Sequence, residues 1–455
     1  MQVSRIIVAG VTSGVGKTTV AVGIMHGLRK RGLRVQPFKV GPDFIDPSYH
    51  SIVTNRKSRN LDVWMMGRRG VIECFASACE GADIAVVEGV MGLFDGMSGK
   101  SDFASTAHVA KILDAPIVLV VDASKGARSI AAIILGFLHF DRRLRIAALI
   151  LNNVAGQRHA NYITDALAGV TKLPVIGILY RNSKIKLEER HLGLVPALEL
   201  KGAKSQLIAR TARYIAECVD LDRVLNLCSV TSLPDSPNPP KRPVRARIAV
   251  ALDESFNFYY TDNLIALKRS GAHLVFFSPL QEQKLPDGVH GILLGGGFPE
   301  VLADSLEKNR SMVRSIRRAV DEGMPIYGEC GGLMYLTRSI SGYKGEIKAR
   351  KMAGIVQADT VMTGRLTLNY THAECNGSIF GNMQIRGHEF HYSSIENIAG
   401  DSRFAYSMKK GKGVTGSQDG FIINDNSLAA YMHLHFANRK LPERMVLSCV
   451  RFSHR

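Results

Sequence analysis

The 455-residue sequence predicts two successive α/β domains. Three observations carry that expectation. Short β-rich runs alternate with helical periodicity over roughly the first 230 residues. A proline-rich stretch then interrupts the chain, and a second strand–helix series resumes beyond it. Repeated alternation of this kind builds a parallel sheet with helices on both faces.

In the first half the expected strands are Arg5–Ala9, Val35–Val40, Ile84–Val87, Ile117–Val121, Ala147–Leu151 and Val175–Leu179. Amphipathic stretches such as Thr18–Arg29 and Arg128–Phe140 lie between them. Ligands of such sheets bind beyond the carboxyl ends of the strands. Gly10, Gly41, Glu88, Asp122 and Asn152 all follow predicted strand ends. The segment from Leu233 to Pro243 holds five of the sixteen prolines, which marks an extended linker over 231–246. Expected strands of the second series are Ile248–Ala251, Leu274–Phe277, Gly291–Leu294 and Pro325–Tyr327, with strands and turns dominating after about residue 350. The expected division is therefore a domain over 1–230, the linker, a domain over 247–440 and a tail over 441–455.

Composition narrows the function classes. A hydrophobic share of 46% and a charged share of 22% are ordinary for a globular protein. No apolar run approaches the ~18 residues of a membrane span, and the N-terminal MQVSRIIVAG reads as a strand rather than a leader. Seven cysteines at irregular spacing point to reduced thiols in a cytoplasm, and no CxxC pair offers a zinc site. The net charge of +18 fits a polyanionic substrate or a solvated basic surface; the spread of the basic residues favours the second. No aromatic-interleaved basic patch suggests nucleic acid.

Residues Gly10 to Thr19 read as a phosphate-binding loop: Gly10, Thr12, Ser13, Gly14, Val15 and Gly16 supply backbone, then Lys17, Thr18 and Thr19 open a helix. Loop amides and the helix N-terminus cradle phosphates, Lys17 reaches the outer ones, and the Thr18 hydroxyl suits Mg²⁺. The usual spacing wants glycine at position 11, where this chain has Val11 and places Gly10 one residue earlier. Asp43, Asp46 and Glu88 at strand ends are candidates for metal or substrate contacts, since Mg²⁺ takes few carboxylates and completes its shell with phosphate and water. Asp46 before Pro47 also fits a helix cap. Asn152 reads equally as a base contact or a turn residue.

In the second half Cys330 lies between a predicted strand and a helical pattern, with Gly331 and Gly332 directly after it. A sharp turn there exposes a sulfur and sets it near a helix N-terminus, which lowers a thiol pKa. The glycine turn containing Gly296 and Gly297 can offer amides to an oxyanion, as can Gly331. A nucleophilic thiol needs a base, and His433 and His435 would share one face of a strand. A nucleotide site and a thiol site in one chain imply ATP-driven amidation with ammonia released from glutamine.

The ordered motifs carry a resemblance. They are Val11–Thr19, Phe38–Pro47, Ser58–Asp62, Val87–Gly96, Arg190–Pro196, Phe256–Tyr260, Leu294–Glu300, Gly328–Gly332, Arg386–His391 and His433–Phe436. Together, from about residue 5 to 440, they resemble the cobyrinic acid a,c-diamide synthase family. The resemblance implies an N-terminal P-loop NTPase domain like that of dethiobiotin synthetase, whose longer loop accounts for the shifted glycine. It also implies a C-terminal class I glutamine amidotransferase-like domain. By the same resemblance Cys330 matches the nucleophile and His433 its base. Other class I amidotransferases carry glutamate two residues after that histidine; here His435 stands in its place, a candidate orienting residue. Thr18, Asp43 and Glu88 are similar to a Mg²⁺ set, and Asp43, Asp46 and Glu88 to an acyl-phosphate site.

The implied activity is ATP- and Mg²⁺-dependent amidation of the a and c carboxylates of cobyrinate in cobalamin biosynthesis, with ammonia from glutamine or free ammonia. The alternative substrate is Ni-sirohydrochlorin, on the coenzyme F430 route. An alternative of another class is a P-loop regulatory ATPase with an inactive amidotransferase-like tail. The implied partners are these small molecules, with no nucleic acid and no membrane; homodimerisation stays open.

Overall fold

The computed structural model describes residues 3–181, 189–190, 193–194, 203–228, 242–346 and 348–455. The chain divides into two compact units, Met1–Asn238 and Pro239–Arg455. Most of the proline-rich linker, and part of the Arg190–Pro196 motif, lie outside the described residues.

In the first unit β1 is Ser4–Gly10, β2 Val35–Val40, β3 Arg59–Leu61, β4 Ile84–Glu88, β5 Ile117–Asp122, β6 Ile146–Val154 and β7 Val175–Tyr180. They form one parallel sheet in the order β3-β2-β4-β1-β5-β6-β7. Helices cover both faces, and the central strands carry apolar runs: Ile6, Ile7, Val8 and Ala9 are all fully buried. The sheet grows one way from β1 through β4 and the other way through β5, so the end of β1 lies at a switch point where ligands bind. Register brings Lys39 of β2 and Val8 of β1 level with Glu88 of β4.

The second unit holds a twelve-stranded sheet. Five strands are parallel neighbours, in the order Ala272–Phe277, Ala246–Ala251, Gly291–Leu294, Ile326–Glu329 and Ser427–Ala430. Most of the remaining pairings are antiparallel, led by the long pair Asp359–Cys375 and Met383–Glu396. Alternating side chains feed two cores: Ala249, Ala251, Ile292 and Leu294 face one, and Ile248, Val250 and Leu293 the other. Residues 441–455, expected as a tail, instead form most of the helix Lys440–Ser453. Leu441, Met445, Val446 and Cys449 recur at helical spacing and pack into the second of these cores.

Each strand expected from the sequence is present, and both halves are α/β. Among the described residues no helix is long and apolar enough to cross a membrane.

Candidate active sites

The first site begins where β1 ends. Gly14 and Gly16 have φ of 76° and 90°, a region that admits glycine freely and other residues at a cost. Thr12, Ser13 and Gly14 are exposed at the crown of the loop. Lys17 starts the helix Lys17–Lys30 and folds back, its Nζ donating to the Thr12 carbonyl at 3.2 Å. Burial, and then the charge of Lys39, lower the Lys17 pKa to about 8. Asn152 is tied to the loop. Its Nδ2 donates to the Val15 carbonyl at 2.9 Å and its Oδ1 accepts from the Asn153 amide. A Cβ on Gly16 would fall 2.3 Å from that Nδ2, so Asn152 braces the loop.

Behind the loop lies a buried charge cluster. Thr18 Oγ1 is 2.7 Å from Glu88 Oε1 and 3.3 Å from Asp46 Oδ2. Lys39, at the end of β2, donates to Asp46 at 2.6 Å, to Glu88 at 2.7 Å and to the Gly89 carbonyl at 3.1 Å. Asp43 stands 3.9 Å from Lys39 Nζ, while its Oδ1 accepts from the Ile45 amide. The carboxylates beside Thr18 are thus those of Glu88 and Asp46, whereas the expected Mg²⁺ set joined Glu88 with Asp43. Asp46 opens the helix Asp46–Thr54 without a capping hydrogen bond, its side chain being turned to Lys39. His50, one turn further along that helix, donates Nε2–H to Glu88 Oε2 at 2.5 Å.

Electrostatics separate the carboxylates. Burial alone would push Glu88 up, but the Lys39 ammonium and His50 outweigh it and hold Glu88 below the usual carboxylate range. Burial and the neighbouring Asp43 push Asp46 well above that range. Three carboxylates thus crowd one buried ammonium, and Asp46 is the one whose protonated form is favoured. Among the described residues there is no group of three or more His, Cys, Asp or Glu arranged to hold a metal alone. Lys39 and His50 are the residues that motif reasoning passed over. Their signals were a lysine at a strand end level with Glu88, and a histidine four residues after Asp46.

The second site is built at the end of the strand Ile326–Glu329. Cys330 follows with φ 47° and ψ −97°, an unusual conformation for a residue with a Cβ, and the short helix Gly331–Leu336 starts directly after it. Its amide donates to the Ala430 carbonyl at 2.7 Å, and its Sγ donates to the Phe390 carbonyl at 3.6 Å. The glycine turn packs against both neighbours of the thiol. A Cβ on Gly331 would meet the Gly297 amide nitrogen at 3.0 Å, and one on Gly296 would meet the His433 ring at 2.5 Å. Tyr259 pins this turn, its hydroxyl accepting from the Gly295 amide at 2.8 Å and donating to Ala251. Cys330, Gly296, Gly297, Gly331 and His433 are thereby brought together. Gly332 has no room either: a Cβ would lie 2.3 Å from the Leu294 carbonyl oxygen. Gly332→Ala is expected to lower stability by about 3 kcal/mol, because backbone must move. Chemical denaturation would measure it, and a loss below about 1 kcal/mol would contradict this packing.

The Cys330 ionisation differs from expectation. Burial raises its pKa, the Glu300 charge adds to that, and the helix-end Gly331 amide only partly offsets them. The resting thiol is protonated, because low dielectric and acidic neighbours outweigh one turn of helix. His433 pairs across strands with His388, and their rings stack at 4.8 Å. Burial drives His388 well below its usual pKa, so it stays neutral. His435 packs its ring on Tyr260 at 5.0 Å, and its Nδ1 accepts from the Ala437 amide.

Comparison with known proteins agrees with this geometry. Residues 6–195 match the CobQ/CobB/MinD/ParA nucleotide binding domain, and residues 247–441 the CobB/CobQ-like glutamine amidotransferase domain. A Methanosarcina acetivorans protein named cobyrinate a,c-diamide synthase is 42% identical, over 99% of this chain and 96% of its own. The chain belongs to the cobyrinate a,c-diamide synthase family. Members from Picrophilus torridus and Dehalococcoides mccartyi are 43% and 41% identical, covering 99% and 96% of this chain and the same shares of their own. Coverage of this extent spans both units.

Proposed function

We propose that this family member is a glutamine-dependent ligase that converts the a and c carboxylates of cobyrinate to primary amides. The observation that carries the reading is one chain holding both the Lys39-centred carboxylate cluster at a phosphate loop and a thiol turn beside His433. His433 takes the Cys330 proton, and the thiolate attacks the glutamine side-chain amide. The imidazolium returns that proton to the departing ammonia, and water then hydrolyses the thioester to glutamate. The amides of Gly297 and Gly331 are the donors for the oxyanion.

At the phosphate loop, a substrate carboxylate attacks the γ-phosphorus of ATP, ADP leaves, and ammonia displaces phosphate from the acyl phosphate. Lys17 and Lys39 hold the charge that develops on the transferred group. A divalent cation fits this end: the Thr18 hydroxyl with the Glu88 and Asp46 carboxylates supplies hard oxygen donors. Asp43 stands at the edge of the same cluster. When bound, Mg²⁺ supplies charge neutralisation at the phosphates. Seven free thiols support a cytoplasmic location.

Purified protein given ATP, glutamine and either cobyrinate or Ni-sirohydrochlorin tests the proposal, with mass spectrometry counting the amides. Two amides on cobyrinate are expected. Amides on Ni-sirohydrochlorin alone would reassign the substrate, and ATP turnover without glutamate release would point to the regulatory ATPase. A second expectation follows from Lys17. With a pKa of about 8 in the free protein, it is half-neutral at pH 8 and is recharged when nucleotide arrives. Calorimetry at pH 8 in buffers of different ionisation enthalpy should show uptake of about half a proton per ATP. Heats independent of the buffer would contradict it.

A further inference from the structure

Glu329 directly precedes Cys330 and ends the strand that presents it. Its side chain is nearly fully buried. Oε1 accepts from the Tyr327 hydroxyl at 2.7 Å and from the Leu434 amide at 3.1 Å. Oε2 lies 3.7 Å from Nδ1 of His433. One carboxylate thus ties down the backbone next to His433 and turns its second oxygen toward the ring nitrogen. The position two residues after His433, where a carboxylate would be expected, holds His435, whose ring is engaged with Tyr260 and whose Nδ1 serves the Ala437 amide. His435 brings no negative charge.

We propose that Glu329 is the positioning residue of the thiol site, holding His433 with its proton on Nδ1 and balancing the imidazolium that forms when Cys330 gives up its proton. This rests on the amidotransferase reading above. A base needs its accepting nitrogen free toward the nucleophile, and a carboxylate at the opposite nitrogen fixes that tautomer. The separation of 3.7 Å exceeds a hydrogen bond, as catalytic contacts without substrate commonly do. The carboxylate and the thiol reside on consecutive residues: the strand directs the carboxylate toward Nδ1 of the imidazole, while the Nε2 side of the ring faces the glycine turn that packs on Gly331. The carboxylate that usually follows the histidine is thereby supplied from the nucleophile's own strand.

Glu329→Gln separates this role from a structural one. The glutamine carbonyl still accepts from Tyr327 and Leu434, while the amide group presents no charge to His433. In glutamine hydrolysis by the full chain, kcat should fall by about 10³-fold with KM for glutamine changed by less than about threefold. Glu329→Asp, which keeps the charge, should recover at least about tenfold over Glu329→Gln. His435→Ala should cost less than about tenfold. A Glu329→Gln kcat within about threefold of the parent, or a Glu329→Asp no better than Glu329→Gln, overturns the proposal. If the unaltered chain releases no glutamate from glutamine, the amidotransferase reading fails instead, so the two failures are distinct.

Discussion

Cys330→Ala should abolish glutamine-dependent amidation, by about 10⁴-fold or more, and leave amidation driven by free ammonia within about twofold of the parent. The asymmetry follows from the chemistry. The thiol is the only group in the proposed sequence that opens the glutamine amide, whereas the carboxylate is activated at Lys17, Lys39 and Glu88. The measurement is amide product with each nitrogen source at equal ATP. Product from glutamine at more than a few per cent of the parent rate would remove Cys330 from its role. The backbone adds a second readout. Cys330 holds φ 47°, where a Cβ is strained and glycine is not. Cys330→Gly should therefore be more stable than Cys330→Ala, by about 1 kcal/mol. Equal stability of the two would mean that the turn relaxes once the sulfur is gone.

Much of this was legible in the sequence, for identifiable reasons. Central parallel strands covered on both faces carry apolar runs, so segments such as Ile117–Val121 announced themselves. The phosphate loop and the thiol turn each need glycine, at residues 16, 331 and 332 because a Cβ would crowd its neighbours and at residue 14 because φ is positive. Side-chain partnerships were less legible, because they depend on register. Lys39 reaches Glu88 only because β2 and β4 are level there. Asp46 is the aspartate within hydrogen-bond reach of Thr18, while Asp43 gives one oxygen to the Ile45 amide. Glu329 was hidden by its nearness to Cys330: a neighbour in sequence is seldom the residue that meets a histidine 104 positions downstream, and here the strand end makes it so. The ionisation of Cys330 was misjudged because burial cannot be read from a turn motif alone. Helicity in 441–455 was present as apolar spacing but lay beyond the last motif.

Glu88→Gln should be the most damaging single change in the first unit. Glu88 is fully buried and touches Thr18, Lys39 and His50 at 2.7, 2.7 and 2.5 Å. A glutamine offers one acceptor where the carboxylate serves three donors, and it turns an amide donor toward a donor. Lys39, itself buried, keeps Asp46 but loses its second counter-charge. Removing one partner of a buried ionic cluster costs about 3–5 kcal/mol. ATP-dependent amidation should fall by about 10³-fold, while glutamine hydrolysis in the other unit serves as an internal control. Asp43→Asn is the contrast: that side chain is partly exposed, 3.9 Å from Lys39, and asparagine can still accept from Ile45. It should cost less than about 1 kcal/mol. A raised Mg²⁺ requirement in Asp43→Asn, but not in Asp46→Asn, would return the metal to the Asp43 set. The pH dependence has a definite sign. Glu88 is held below its unfolded pKa of about 4.3. Its contribution is therefore fully present above that value and is lost as pH falls through the lower folded one. The stability gap between the parent and Glu88→Gln should be flat from about pH 5 to 8 and narrow only below about pH 4. A gap under about 1 kcal/mol at pH 7 would mean that Lys39 finds another counter-charge and His50 another partner, and that the cluster is not the rigid base on which carboxylate activation rests.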